Sequence, residues 1–137
     1  MGKVDVQGKD AASFLNLIYC NGFAKLAIGK TRYGLMLRED GIALDDGTAA
    51  RLDENHFVVT TTTANAVSVY RHMEFVRQCL YPKMDVQLIS TTEAWAQFAV
   101  AGPNSRSVLR KIVDKEYDIS NEGFPFMACG QISGCGG

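Results

Sequence analysis

The sequence predicts an α+β domain, a layered antiparallel or mixed sheet with helices on one face. Three observations predict it. Segments of period-two and of helical apolar spacing alternate along the chain. One pair of strands is joined directly at Asp40-Gly41, where a parallel pair would need a crossover helix. No solenoid-type repeat and no linker interrupts the 137 residues, a length that supports one core rather than two.

The elements follow in order. "KVDVQG" alternates Val4 and Val6 with polar neighbours and ends at Gly8, a short strand. "DAASFLNLIYCNG" sets Ala11, Phe14, Leu15 and Ile18 at helical spacing, with Asp10 as N-cap and Asn21-Gly22 as stop. "GKTRYGLMLREDGIALDDGTAARL" is the hairpin, and "HFVVTTT" is a strand rich in β-branched residues. "TANAVSVYRHMEFVRQCLYP" carries Ala66, Val69, Met73, Val76 and Leu80 along one stripe; Thr62 or Thr63 caps it and Pro82 stops it. "MDVQLIS" and "AWAQFAVAG" read as two more strands, with Trp95 in the core. Gly102-Pro103 leads into a helix that turns Val108, Leu109, Ile112 and Val113 inward. "FPFMACGQISGCGG" begins like a strand and dissolves into glycine.

A net charge of −1 without a basic stripe argues against nucleic acid and membrane surfaces as partners. No apolar run reaches the roughly 18 residues of a spanning helix, and no secretory signal opens the chain, so a cytoplasmic location is expected. Val6 stands where a myristoylation signal needs Ser or Thr. Cys20, Cys79, Cys129 and Cys135 form no C-x-x-C pair and lie far from His56 and His72. Reduced, mostly buried thiols and no metal site are expected. Neither G-x-G-x-x-G nor a Walker loop nor G-x-S-x-G occurs, which removes the usual phosphate cradles and the serine elbow.

The hairpin holds the candidate chemistry. A two-residue turn at Asp40-Gly41 would pair Leu35 with Asp46 and Tyr33 with Thr48. Ile42, Leu44, Asp46, Thr48, Ala50 and Leu52 then share one face, and Asp46 stands in what reads as the apolar row. Two readings are open. A poorly solvated carboxylate suits proton transfer or support of a cation; alternatively a bulge at Gly47 leaves both carboxylates in water. Asp45, with Arg51 on its own face, reads as a surface ion-pair member. The run Thr60 to Thr63 is either strand plus N-cap or a rim of hydroxyls for a polar ligand.

Taken together, "KVDVQGKDAASFLN", "GKTRYGLMLREDGIALDDGTAARL", "HFVVTTTTAN", "WAQFAVAGPNSRSVL" and "DISNEGFPFM" resemble the folate-binding domain of glycine-cleavage T-protein (aminomethyltransferase) and its relatives. The resemblance runs from about Lys3 to Gly134. The threonine run, "DDGTAARL" and "NEGFPFM" are more similar to the version in the α subunit of heterotetrameric sarcosine oxidase than to T-protein itself. The resemblance implies ferredoxin-like elements within the T-protein fold and tetrahydrofolate as cofactor. It implies capture of the one-carbon unit from oxidative demethylation of sarcosine, giving 5,10-methylenetetrahydrofolate. Asp46 matches the aspartate beside the pterin nitrogens, with an implied role in supporting an iminium-like centre and moving protons. Tyr33 would line the pocket and Thr62 would be a weaker contact.

Relatives continue beyond "QISGCGG" into a strand with a pterin-gripping glutamate and then a β-barrel. Residues 1–137 are therefore expected to be one partial folate-binding domain, incomplete after about residue 125 and without the barrel. The complete parent is implied to be an oxidoreductase on CH–NH bonds that also uses FAD, FMN and NAD and has other sarcosine oxidase subunits as partners. The piece alone is expected to be inactive and prone to self-association through unburied apolar surface. The alternatives are a glycine-cleavage aminomethyltransferase, which needs a lipoyl carrier protein, and a non-catalytic scaffold.

Overall fold

The computed structural model describes residues 1–132; Cys135 and the end of the glycine-rich tail lie outside the described residues. The strands are β1 (Gly2–Gln7), β2 (Lys30–Leu37), β3 (Ala43–Asp53), β4 (His56–Thr61) and β5 (Gln87–Ser90). The helices are α1 (Ala11–Ile18), α2 (Ala66–Phe75), which runs on through a wider π-type turn at Val76–Leu80, and the short α3 (Ser105–Leu109). The sheet order is β2-β3-β4-β1-β5, and every neighbouring pair is antiparallel. Without β2, the succession β1-α1-β3-β4-α2-β5 is the ferredoxin-like pattern, and β2 extends the sheet as an edge strand. Among the described residues no helix is long and apolar enough to cross a membrane.

The core forms where α1 and α2 lie on one face of the sheet. Ala11, Phe14, Leu15 and Ile18 of α1 and Val69 and Met73 of α2 are buried with Val4, Val6, Met36, Phe57 and Val59. The stripe on α2 is shorter than its spacing predicts, because Leu80, the last residue of the π-type turn, is exposed. Asp10 occupies the N-cap of α1, but its carboxylate accepts from the Asp85 amide at 2.9 Å and so ties the helix start to the approach to β5. The helix stops at Ile18, ahead of Asn21-Gly22; Tyr19 is already extended, and the Asn16 side chain accepts from the amides of Phe23 and Ala24.

The hairpin keeps the expected register, Leu35 opposite Asp46 and Tyr33 opposite Thr48, but reaches it differently. Its loop is one residue longer: the Gly41 amide donates to the Arg38 carbonyl, the Arg38 amide donates to the Ile42 carbonyl, and Gly41 has φ 81°. A register shift between Met36 and Leu37 absorbs the extra residue, leaving Leu44 unpaired as a bulge. The bulge sits at Leu44, not Gly47, and it inverts the face assignment. Asp45, Gly47 and Ala49 turn toward the helices; Asp46, Thr48 and Ala50 turn to the open face.

Beyond β5 the chain departs from expectation. Residues 95–101 form no strand, since no ladder partner meets them among the described residues. Trp95 is accordingly 56% exposed and Phe98 84%. In the helix after Pro103, only five residues are α-helical; Val108 and Ile112 face solvent, while Leu109 and Val113 are half-buried. Cys20 and Cys79 are exposed rather than buried, and Cys129 is half-buried, its thiol donating to the Arg51 carbonyl.

Candidate functional site

On the open face, the N-terminal edge of β1, the middle of β2 and β3, and the end of β4 line a solvent-open cavity of about 510 Å³, and Asp46 is exposed on its wall rather than poorly solvated. Tyr33, Asp46 and Thr62 all line it, so the three residues singled out in the sequence meet at one place. Met1, Gly47, Thr48, Thr60, Thr63 and Gln97 complete the wall. Tyr33, opposite Thr48, and Asp46, opposite Leu35, stand two rungs apart on the β2–β3 ladder and hence on the same face, which juxtaposes an aromatic ring and a carboxylate.

The polar groups fall into two sets. The Thr48 and Thr60 hydroxyls lie 2.8 Å apart, and the Thr60 hydroxyl also accepts from the Thr48 amide at 3.0 Å. These two hydroxyls brace β3 against β4. The Asp46 carboxylate, the Tyr33 phenol and the Thr62 hydroxyl make no side-chain hydrogen bond or ion pair among the described residues, so their bonding capacity faces the cavity. Gly47 permits the close strand approach beneath them: a Cβ there would lie 1.9 Å from the Thr60 carbonyl oxygen.

Asp45 is no surface ion-pair member. It is 6% exposed, and its two carboxylate oxygens accept from the Thr62 amide and from Asn65 Nδ2, each at 3.1 Å. Asn65 Nδ2 also donates to the carbonyl of Leu44, the bulge residue. Arg51 works elsewhere, donating to the carbonyls of Leu26 and Glu54 and lying 5.2 Å over the Phe57 ring. Burial pushes the Tyr19 phenol above its ordinary range, and the charge of Asp45 adds to that shift.

Of the remaining wall residues, Thr60 and Thr63 belong to the threonine run that the sequence offers as a hydroxyl rim, and Thr48 to the face that holds Asp46, whereas Met1 and Gln97 are not singled out by the sequence. Nothing local marks Gln97, which reaches the cavity from the irregular segment after β5.

An antiparallel α+β sheet with helices on one face and a carboxylate-bearing, hydroxyl-rimmed cavity on the other defines the class. The chain belongs to the GCVT N-terminal domain family, whose model matches residues 1–137. It is 56% identical over 137 residues to the sarcosine oxidase subunit alpha of Rhizobium meliloti (strain 1021), covering 100% of this chain and 14% of that relative. It is 45% identical over 128 residues to the sarcosine oxidase subunit alpha of Corynebacterium sp. (strain U-96), with 93% and 13% covered. To the aminomethyltransferase of Exiguobacterium sibiricum it is 35% identical over 112 residues, with 82% and 30% covered. Among solved structures, glycine cleavage system aminomethyltransferase T from Bartonella henselae superposes with a TM-score of 0.60 at 28% identity, covering 65% of this chain and 24% of that one. The chain thus spans about a seventh of the length of the sarcosine oxidase subunits it matches.

Proposed function

We propose that the cavity is the tetrahydrofolate-binding region of a sarcosine-oxidase-type α subunit, where a one-carbon unit from demethylation of sarcosine is accepted. The observation that carries this reading is the convergence of Asp46, Tyr33 and Thr62 on one cavity with no side-chain bond to any described residue. The donor set suits a reduced pteridine. A carboxylate accepts from ring N–H groups, a hydroxyl serves a polar edge, and a phenol ring offers a flat apolar face. When bound, tetrahydrofolate supplies the nucleophilic nitrogens that take up the one-carbon unit as 5,10-methylenetetrahydrofolate.

Asp46 contributes negative charge where positive charge develops, and an acceptor for the proton that leaves nitrogen. Thr48 and Thr60 hold β3 and β4 together so that this carboxylate stays on the cavity wall. The sarcosine oxidase assignment is preferred over aminomethyltransferase because the identity is 56% against 35%. On this reading the complete parent carries FAD, FMN and NAD outside these residues and assembles with the other subunits of the oxidase.

The test uses the complete polypeptide in its assembled enzyme. Tetrahydrofolate binds in calorimetry, and Asp46→Ala lowers methylenetetrahydrofolate formation by about 10²-fold, the scale of one lost electrostatic group, while sarcosine consumption continues. An unaltered methylene yield overturns the role of Asp46. Silence across millimolar tetrahydrofolate overturns the binding reading.

A further inference from the structure

We infer that Asp45 is a positioning residue for the cavity, a buried carboxylate that fixes the β4–α2 turn and thereby places Thr62 opposite Asp46. This rests on the folate reading proposed above and deepens it. Asp45 and Asp46 are consecutive on β3, so their side chains leave the sheet on opposite faces. Asp46 lines the cavity, while Asp45 reaches the turn that follows β4 from behind. One carboxylate oxygen holds the Thr62 amide, and the other holds Asn65 Nδ2. Asn65 in turn donates to the Leu44 carbonyl, which the bulge leaves out of the β2–β3 register. Three hydrogen bonds thus lock the bulge to the turn, and the residue whose amide is held is itself a wall residue.

The chemistry of the lock requires an acid. Both donors are N–H groups, and only a carboxylate offers an acceptor oxygen to each. An asparagine in its place would turn an NH₂ toward one of them. If Asn65 flipped to accept that NH₂, its own amide nitrogen would leave the Leu44 carbonyl. Either way one of the three bonds is lost, and the penalty for leaving a buried group unpaired falls on the turn.

The experiment is a double-mutant cycle on the complete protein in its assembled enzyme, with tetrahydrofolate as the probe. Asp45→Asn raises the Kd about tenfold, more than its modest fall in melting temperature accounts for, while the enzyme stays folded at the assay temperature. In a Thr62→Ala background the same substitution adds at most a small further loss, because its effect passes through Thr62. Asn65→Ala, which removes one donor and leaves the carboxylate, shows the same dependence on Thr62 and keeps the test open if Asp45→Asn does not fold. Wild-type affinity in both variants, fully additive losses with Thr62→Ala, or a binding loss that merely follows a fall in melting temperature overturns the inference. A wild-type enzyme that ignores tetrahydrofolate overturns the proposed function as well, whereas a binding wild type with additive variants overturns the positioning role alone.

Discussion

The two faces of the sheet divide the work. The face under α1 and α2 is closed: Val6, Phe57, Val59 and the side chains of Phe14 and Met73 are fully buried. The other face leaves Tyr33 62% exposed and Leu35 and Ile89 in solvent, and it carries the cavity with Asp46. Asp45 and Asp46 mark the division within one dipeptide, since the acid on the closed face spends its oxygens on the protein and the other spends none among the described residues. Stability is concentrated on one surface of β3 and, on the proposed function, ligand chemistry on the other, so substitutions one residue apart should fall into different classes.

The largest contrast is between core and open face. Phe14→Ala should destabilise by about 3–5 kcal/mol, the range for removing a buried aromatic and leaving a cavity. Leu35→Ala, on the open face, should stay within about 0.5 kcal/mol. Denaturant unfolding of both variants measures the difference. A Leu35→Ala cost approaching that of Phe14→Ala would mean that the open face is covered in solution.

Gly47 sharpens the comparison because it belongs to both faces. Its missing side chain is on the closed side, yet its backbone forms part of the cavity wall. A methyl group there meets the Thr60 carbonyl, so Gly47→Ala should cost about 1–3 kcal/mol through forced separation of β3 and β4. Tetrahydrofolate affinity should fall with it, because the Thr48–Thr60 hydroxyl contact opens. A melting curve that matches the unsubstituted protein would show that the strands yield without strain.

What was legible in the sequence follows the range of the forces involved. β1, α1, the hairpin register, β4 and α2 announce themselves because alternation, helical stripes and turn residues are local signals. The face of β3 was misread because the large apolar residues Ile42, Leu44 and Leu52 dominate its pattern, whereas the helix-facing row consists of the small Gly47 and Ala49. The bulge at Leu44 that sets this phase has no local signature. Residues 95–101 have the composition of a strand, but a strand exists only through a partner, and that is not a local property. That Asp46, Tyr33 and Thr62 would meet at one place was legible from register and family resemblance; that Asp46 would be exposed was not, because it follows from the misread face. The contacts of Asp45 were not, because they reach 17 and 20 residues along the chain.

The finest contrast is electrostatic, and pH reads it. Tyr19 packs on the closed side, its ring against Phe23 at 5.4 Å and against Gly34, where an added Cβ would come within 2.7 Å of it. Burial first, and then the nearby Asp45 charge, raises its phenol above the ordinary value of about 10. The folded form therefore holds the proton more tightly than the unfolded chain does. The resulting stability is fully present below the unfolded value near pH 10 and is lost as pH rises through the folded one, at about 1.4 kcal/mol per pH unit. Tyr19→Phe keeps the ring and removes the titration, so the two proteins should melt alike at pH 7 once any packing offset is subtracted, and the variant should decline less steeply above pH 10. If Tyr19→Phe follows the same alkaline slope as the unsubstituted protein, the Tyr19 phenol does not sense its burial on the closed face or the charge of Asp45.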